Sequence, residues 1–575
     1  MTTPCDRASA TQRRVWLALS FTVAVLYGLL TLKLAFAGKY VVQDDARQHV
    51  FWMYRWVDSA LFTNDLIADY FQSVAPEGYK ILYRGAIALG IDPFVFNKVL
   101  PPILGLVTTG YAYGVSLQLF PIPAAAFGST LLLNQVLWAN DDLPSATPRA
   151  FVYPLLIAFL YYLLGRSSQD STGEVRHSKS GLGACLILIA LQGVFYPQAV
   201  FLSAGLLVLQ LIIWRNGRFA LSRDRTDLLF VGAGLGVAIA ILLPYALQTS
   251  VYDPVITLAE ARELREFQPA GRSRFFDSNP WEFWIHGNRS GILPRTERLP
   301  FLLYAAVLLP VIRFFPDRFP LVRQLHPQAR ILVDLILVSL GWFFGAHLVL
   351  FRLHLPSRYT QHSVRIVLCL AAAIALVVML DALFRWGTQA RWQTVLAYAG
   401  TAMIALSLVL YPNYAYEFPG ANYRQGSQPE LYAFLSQQPK DIHVATLSAE
   451  GDMIPSLAQR SVLVAEEYGI PYHMGYYNEF RKRAIALAEA QYSPNLTDVQ
   501  QFIQEYDIDL WLLDADAFSD EYLNRVWVRQ YPEFARDVRR TTRQSEESPA
   551  LERAIAACTV WKNQDLVLLD AACIE

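Results

Sequence analysis

Residues 99–140 read VLPPILGLVTTGYAYGVSLQLFPIPAAAFGSTLLLNQVLWAN, 42 positions without an Asp, Glu, Lys or Arg. A helix needs about 20 consecutive apolar residues to cross the hydrocarbon core of a bilayer. The run therefore holds two crossings. Phe120-Pro121-Ile122-Pro123 supplies the break between them, because proline lacks the amide N–H that would continue a helix. Further uncharged runs lie on either side, at 15–32, 150–165, 180–214, 228–252, 300–312, 335–351, 366–380 and 392–416. The run 180–214 divides at Phe195-Tyr196-Pro197, which brings the expectation to about 11 spans. Residues 81–89 suggest one more short or interfacial helix.

The short basic loops orient these spans, since Lys and Arg accumulate on the cytoplasmic side. With the N-terminus in the cytoplasm, that side receives Arg13 and Arg14, then Arg166, Arg176 and Lys179. It next receives Arg215, Arg218, Arg223 and Arg225, then Arg313, Arg318, Arg323 and Arg330, and finally Arg385 and Arg391. An odd number of spans leaves the C-terminal part outside. Arg13-Arg14, an apolar stretch and Ala35-Phe36-Ala37 also fit a signal peptide. The stretch is longer than the usual apolar region of about 7–15 residues, and it reads as a retained helix.

The net charge of −1 averages two unlike parts. From Glu417 onward there are 25 acidic and 14 basic residues, or −11, which leaves +10 for the rest. A nucleic-acid binder does not divide its charge this way, so no nucleic-acid partner is expected. In the acidic part, Pro429–Gln437 and 499–506 read as helices, and 442–447, 462–465, 510–513 and 566–569 as strands, a small α/β domain. Residues 1–413 thus form a membrane domain with outside loops 38–96 and 250–299, and 414–575 an extracytoplasmic α/β domain. No Gly-rich phosphate loop, HExxH or metal-spaced Cys pair occurs. Cys5 falls on the cytoplasmic tail and Cys185 and Cys369 in spans. Cys558 and Cys573 fall in the outside domain, where a disulfide and two free thiols are equally open readings.

Polar groups collect at one face of this topology. Gln43-Asp44-Asp45-Ala46-Arg47-Gln48-His49 follows the first span. Adjacent carboxylates can hold a divalent cation or take a proton from a hydroxyl, and on a helix His49 shares a face with Asp45. A solvated turn explains them equally well. Asn140-Asp141-Asp142, with Pro148 and Arg149 behind it, lies between spans three and four, and reads alone as a capping turn. In loop 250–299, Arg272, Arg274, Asp277, Trp281, Glu282, Trp284, His286 and Arg289 mix aromatics with charge; a membrane-interface belt explains the tryptophans, and the same mixture suits a sugar or lipid headgroup. His354-Leu355-Pro356-Ser357-Arg358-Tyr359 opens the tenth span. There the arginine either clamps a phosphate or snorkels to the interface.

Taken together, these features resemble the GT-C superfamily of polytopic glycosyltransferases, which use polyprenyl-phosphate-linked sugars and include oligosaccharyltransferases and protein O-mannosyltransferase-like enzymes. Asp45-Ala46-Arg47-Gln48-His49 is similar to the Asp-Ala-x-x-His of oligosaccharyltransferase catalytic subunits. Asp141-Asp142 occupies the place of their second acidic motif. Arg358-Tyr359 is similar to the Arg-Tyr or Arg-Phe late in bacterial and archaeal bundles, and the stretch from Ile454-Pro455 to Arg460-Ser461-Val462 to tails on bacterial members. The resemblance implies a multi-pass enzyme of the plasma (inner) membrane. Asp44 or Asp45 would be its catalytic base. His49, Asp141, Asp142, Arg149, Arg358 and Tyr359 would bind substrate, and a divalent cation, Mg2+ or Mn2+, would sit at Asp45 and Asp142. The implied partners are membrane lipids, the lipid-linked donor and a glycan, lipid or protein acceptor. Two departures matter. There is no Trp-Trp-Asp-Tyr-Gly motif, which argues against protein N-glycosylation, and Asn-Asp-Asp replaces a spaced Asp-x-Asp, which leaves metal dependence open. The competing reading is a non-catalytic scaffold or a lipid-linked glycan transporter. A transporter would carry mid-membrane charges and often inverted repeats, and the spans show neither.

Overall fold

The computed structural model describes residues 9–574 except 170–174, 178, 216–217, 248–249, 389, 416 and 539–546. Cys5 lies outside the described residues, as do the side chains of Arg176, Lys179 and Arg215.

Each uncharged run is helical over most of its described residues. The helix Pro93–Leu119 stops at Phe120, and Pro123 begins the next one, Pro123–Ala139, at the first-turn position where its missing N–H is harmless. The others are Ala10–Ala35, Val152–Gly165, Lys179–Phe195, Gln198–Gln210, Arg225–Leu247, Phe301–Arg313, Arg330–Leu348, Gln361–Gly387 and Arg391–Tyr414. Among the described residues, six helices are long and apolar enough to cross a membrane, or up to seven if Glu77–Ala88 and Pro93–Leu119, bent by 114°, form one broken span. This is fewer than the uncharged runs because several of those make helices of only 13 to 17 residues.

Small residues let the helices approach closely, the usual device where lipid removes any hydrophobic drive between them. A Cβ on Gly114 would lie 2.6 Å from the ring of Tyr161 on the neighbouring helix. The helix Gln361–Gly387 runs through the middle. It packs on Pro123–Ala139, Phe301–Val307, Arg330–Leu348 and Arg391–Tyr414, and is buried along most of its length. Arg391–Tyr414 is peripheral and turns Val395, Leu396, Met403, Leu406 and Val409 outward. An exposed apolar stripe of this size fits contact with lipid rather than water.

Beyond Tyr414 the chain forms a five-stranded sheet. Its spatial order is Thr559–Lys562, Leu566–Asp570, Leu510–Asp514, His443–Thr446 and Ser461–Val462. The first three strands run antiparallel and the last three parallel. The helices Pro429–Gln437, Met474–Tyr492, Leu496–Tyr506 and Ala550–Cys558 belong to the same domain. Cys558 and Cys573 are joined as a disulfide, with Cα atoms 5.4 Å apart.

Two loops fasten this domain to one end of the bundle. Val41–Gln43, just after the first helix, pairs antiparallel with Tyr423–Gln425. The 250–299 loop bridges Val255 to His473, and its Glu266 accepts a hydrogen bond from the buried Tyr477 hydroxyl. The segment just before Asp44 and Asp45 and the 250–299 loop therefore both meet the C-terminal part of the chain.

Candidate functional site

Asp45 is the N-cap residue of the short helix Ala46–His49, yet its carboxylate makes no capping bond. The side chain turns instead to Arg149, whose Nη2 contacts Asp45 Oδ2. Arg149 Nη2 also lies 3.3 Å from Asp141 Oδ1, and its Nε 3.8 Å from Asp142 Oδ1. One guanidinium thus joins three carboxylates from two distant segments.

The two acids of the second loop are closed in. Asp141 is 5% exposed and is bound by Arg295 and by Asn422 Nδ2 at 2.7 Å. Asp142 is 1% exposed. It accepts from Arg365 Nη1 at 2.8 Å and from Gln361 Nε2 at 2.8 Å to each oxygen. Burial works against both charges, but it is outweighed at Asp141 by Arg149 and Arg295 and at Asp142 by His362 and then the arginines, so both carboxyls lie below the usual carboxylate range. The loop does turn here, with Ser145 N donating to the Asp141 carbonyl at 2.9 Å, and the turn sets both carboxylates in a buried ionic cluster.

Asp45 differs from these two. It is 32% exposed, and only Oδ2 has a partner among the described residues. Oδ1 remains open to an incoming group. His49 stands beside Asp45 and Arg149, and burial holds its imidazole down at about 4. Arg358, in the turn Pro356–Tyr359, donates to Gln361 Oε1 at 2.7 Å. A continuous chain of contacts therefore runs from Asp45 through Arg149 and Asp142 to Gln361 and Arg358.

Three expectations change. Asp44 does not share the environment of Asp45: it pairs with Arg47 at 2.5 Å and Arg424 at 3.2 Å, toward the C-terminal domain. Consecutive residues point apart, and separate cations relieve the repulsion expected of the pair. Tyr359 turns into the helix packing. Its ring lies 6.1 Å from Phe201 and 6.3 Å from Trp342, and its hydroxyl donates to the Leu353 carbonyl. Asp45 and Asp142 do not fit a divalent cation. A hard cation needs free carboxylate oxygens, whereas Asp142 has both oxygens committed and the Arg149 guanidinium lies among the acids. Among the described residues, no group of three or more His, Cys, Asp or Glu side chains could hold a metal ion.

Arg295, Gln361 and Arg365 were not singled out by the sequence. The signal available was the spacing of Arg358, Gln361 and Arg365, which share one helical face. His362, on the same stretch, is fully buried beside Tyr153, with ring centroids 5.1 Å apart, and neither ring nitrogen has a partner among the described residues.

No family model and no curated protein sequence matches the chain. Solved structures do. The oligosaccharyltransferase of Archaeoglobus fulgidus tethered to an acceptor peptide containing the NVT sequon is 12% identical, with a TM-score of 0.53, over 90% of this chain and 72% of that one. The same archaeal protein in complex with an inhibitory peptide and a dolichol-phosphate is 12% identical, with a TM-score of 0.49, over 90% and 72%. Its complex with Zn and sulfate is 13% identical, with a TM-score of 0.48, over 87% and 69%. The fold of this chain is thus similar to that of an archaeal oligosaccharyltransferase.

Proposed function

We propose that the chain is a membrane glycosyltransferase that moves a sugar from a polyprenyl-phosphate donor to an acceptor hydroxyl on the extracytoplasmic face. The observation that carries this reading is the unbroken link from Asp45 to Arg358, which brings a half-exposed carboxylate and a cation without a carboxylate partner to one end of the bundle. In the proposed reaction the acceptor oxygen attacks the anomeric carbon and the bond from that carbon to the phosphate oxygen breaks. The phosphate leaves with the bonding electrons, and the acceptor proton passes to Asp45 Oδ1. Arg149 fixes the carboxylate by its other oxygen. Arg358 faces the charge that grows on the departing phosphate, where a preorganised cation acts most strongly. Asp141 and Asp142 hold Arg149 and Gln361 and do not touch substrate. The fold of an oligosaccharyltransferase supports a glycosyltransferase.

The test is reconstitution in lipid with a radiolabelled polyprenyl-phosphate sugar and mixed glycan, lipid and peptide acceptors. Asp45→Asn is expected to lower transfer by about 100-fold or more, the range for loss of a general base. Undiminished transfer by an Asp44→Asn/Asp45→Asn double variant would remove the base assignment.

A further inference from the structure

Two arginines at the site end of the bundle have no carboxylate partner among the described residues. Arg358 makes one side-chain hydrogen bond, to Gln361 Oε1 at 2.7 Å. Arg289, from the 250–299 loop, reaches only the Arg274 carbonyl, at 3.5 Å. Both are half-buried.

They are held near each other on purpose-built backbone. Ser357 N donates to the Arg289 carbonyl at 3.2 Å, and Ser357 Oγ to the Asn288 carbonyl at 3.0 Å. The Arg289 charge acts on both Arg358 and His354. His354 is itself kept uncharged: burial first, then Arg358, Arg289 and His473, hold its imidazole down at about 3. A neutral ring beside two cations can still donate one N–H.

Like charges held near each other raise the energy of the empty site unless an anion lies between them. Arg149 is not available for that anion, because Asp45, Asp141 and Asp142 already surround its guanidinium. We infer that Arg289 is a second phosphate-binding arm, which with Arg358 grips the non-bridging oxygens of the lipid-linked phosphate from the loop side. This inference rests on the proposed donor class. It adds a residue that couples the 250–299 loop directly to the donor and leaves Arg149 to hold Asp45.

The experiment uses the full chain in phosphatidylcholine nanodiscs and a radiolabelled polyprenyl monophosphate without sugar. The wild type is expected to retain the label, and Arg289→Gln to weaken retention by at least about tenfold, as expected for one lost charge-assisted arm. Arg289→Lys, which keeps the charge and loses the planar fork, should weaken it less. The thermal midpoint of Arg289→Gln should not fall below the wild type's, since the side chain makes a single long hydrogen bond and its loss relieves the repulsion with Arg358. Inorganic phosphate should compete only weakly, and phosphatidylglycerol at the same mole fraction should not displace the label. Wild-type retention by Arg289→Gln overturns the inference. So does displacement by phosphatidylglycerol as effective as by unlabelled polyprenyl phosphate, which would mark a general headgroup site. No retention by the wild type overturns both this inference and the donor class. Retention that depends on Arg289, without sugar transfer, leaves the inference standing and removes the transferase reading.

Discussion

Arg365 Nη1 lies 2.8 Å from Asp142 Oδ2, and each side chain is 1% exposed. The pair fastens the second acidic loop to the start of the central helix, 223 residues further along the chain. Arg365 also donates to the Pro294 carbonyl at 2.8 Å, so it holds the end of the 250–299 loop as well. Removing one member leaves the other charged and dry, a loss of about 3–5 kcal/mol for a buried pair. Arg365→Met is therefore expected to lower the thermal midpoint strongly in detergent or nanodiscs. Adding Asp142→Asn should recover part of the loss. An unchanged midpoint for Arg365→Met would show that the pair is solvated.

Chelation tests the donor set around Arg149. If the guanidinium stays among the three carboxylates, EDTA should leave both sugar transfer and the thermal midpoint as they were. Arg149→Gln should create no Mn2+ site in the Mn2+ resonance spectrum, because Arg295 still holds Asp141 and Arg365 and Gln361 still hold Asp142. Loss of transfer on chelation, restored by Mn2+, would mean that Arg149 swings aside to admit a metal.

The helices were legible because lipid imposes one simple demand, a long run without charge, and residues 99–140 meet it twice over. Asp45 and the Asp141-Asp142 pair were legible because adjacent acids beside apolar runs are unusual. Arg365 was not, since a single arginine before the run 366–380 reads as an interfacial flank. Its burial depends on Asp142, which no local pattern reveals. Tyr359 was overread for the opposite reason: it is next to Arg358 in sequence, but successive side chains on a helical turn diverge by about 100°. In the C-terminal domain the sequence missed the helix Met474–Tyr492. Arg481-Lys482-Arg483 breaks up its apolar pattern, although Tyr476, Tyr477, Phe480, Ala484 and Leu487 are all buried.

The Cys558–Cys573 disulfide closes a loop with a sequence separation of 15. That loop contains the edge strand Thr559–Lys562 and its partner Leu566–Asp570, whose pairing shifts register between Thr559 and Trp561. A closure of this size stabilises by about 3 kcal/mol, chiefly by restricting the unfolded chain. Reduction, or the Cys558→Ser/Cys573→Ser pair, is expected to lower the midpoint of C-terminal unfolding while leaving transfer intact below that temperature. An unaltered midpoint after verified reduction would show that the sheet edge is held by its other contacts.

Glu467 makes the stability of the joint between the C-terminal domain and the Asp45 helix depend on pH. It accepts from Arg47 Nη2 at 2.6 Å and Gln48 Nε2 at 2.5 Å on that helix, and from Arg272 Nη2 at 3.0 Å on the 250–299 loop. Asp44, Asp452 and Glu466 are the acids nearby. Burial, helped by the Asp452 and Asp44 carboxylates, outweighs the two arginines and pushes Glu467 up to about 7. Asp452 is pushed up to about 6, again by burial first. Both folded values lie above the unfolded ones, so the fold favours the neutral forms. Their stabilising contribution is complete below about pH 4 and is lost as pH rises through about 6 for Asp452 and about 7 for Glu467. The slope is at most about 1.4 kcal/mol per pH unit for each proton released. The thermal midpoint is therefore expected to fall between about pH 5 and pH 8, and Glu467→Gln, which keeps a neutral side chain at every pH, should flatten that fall. A variant whose midpoint declines as steeply as the wild type would place the titration elsewhere.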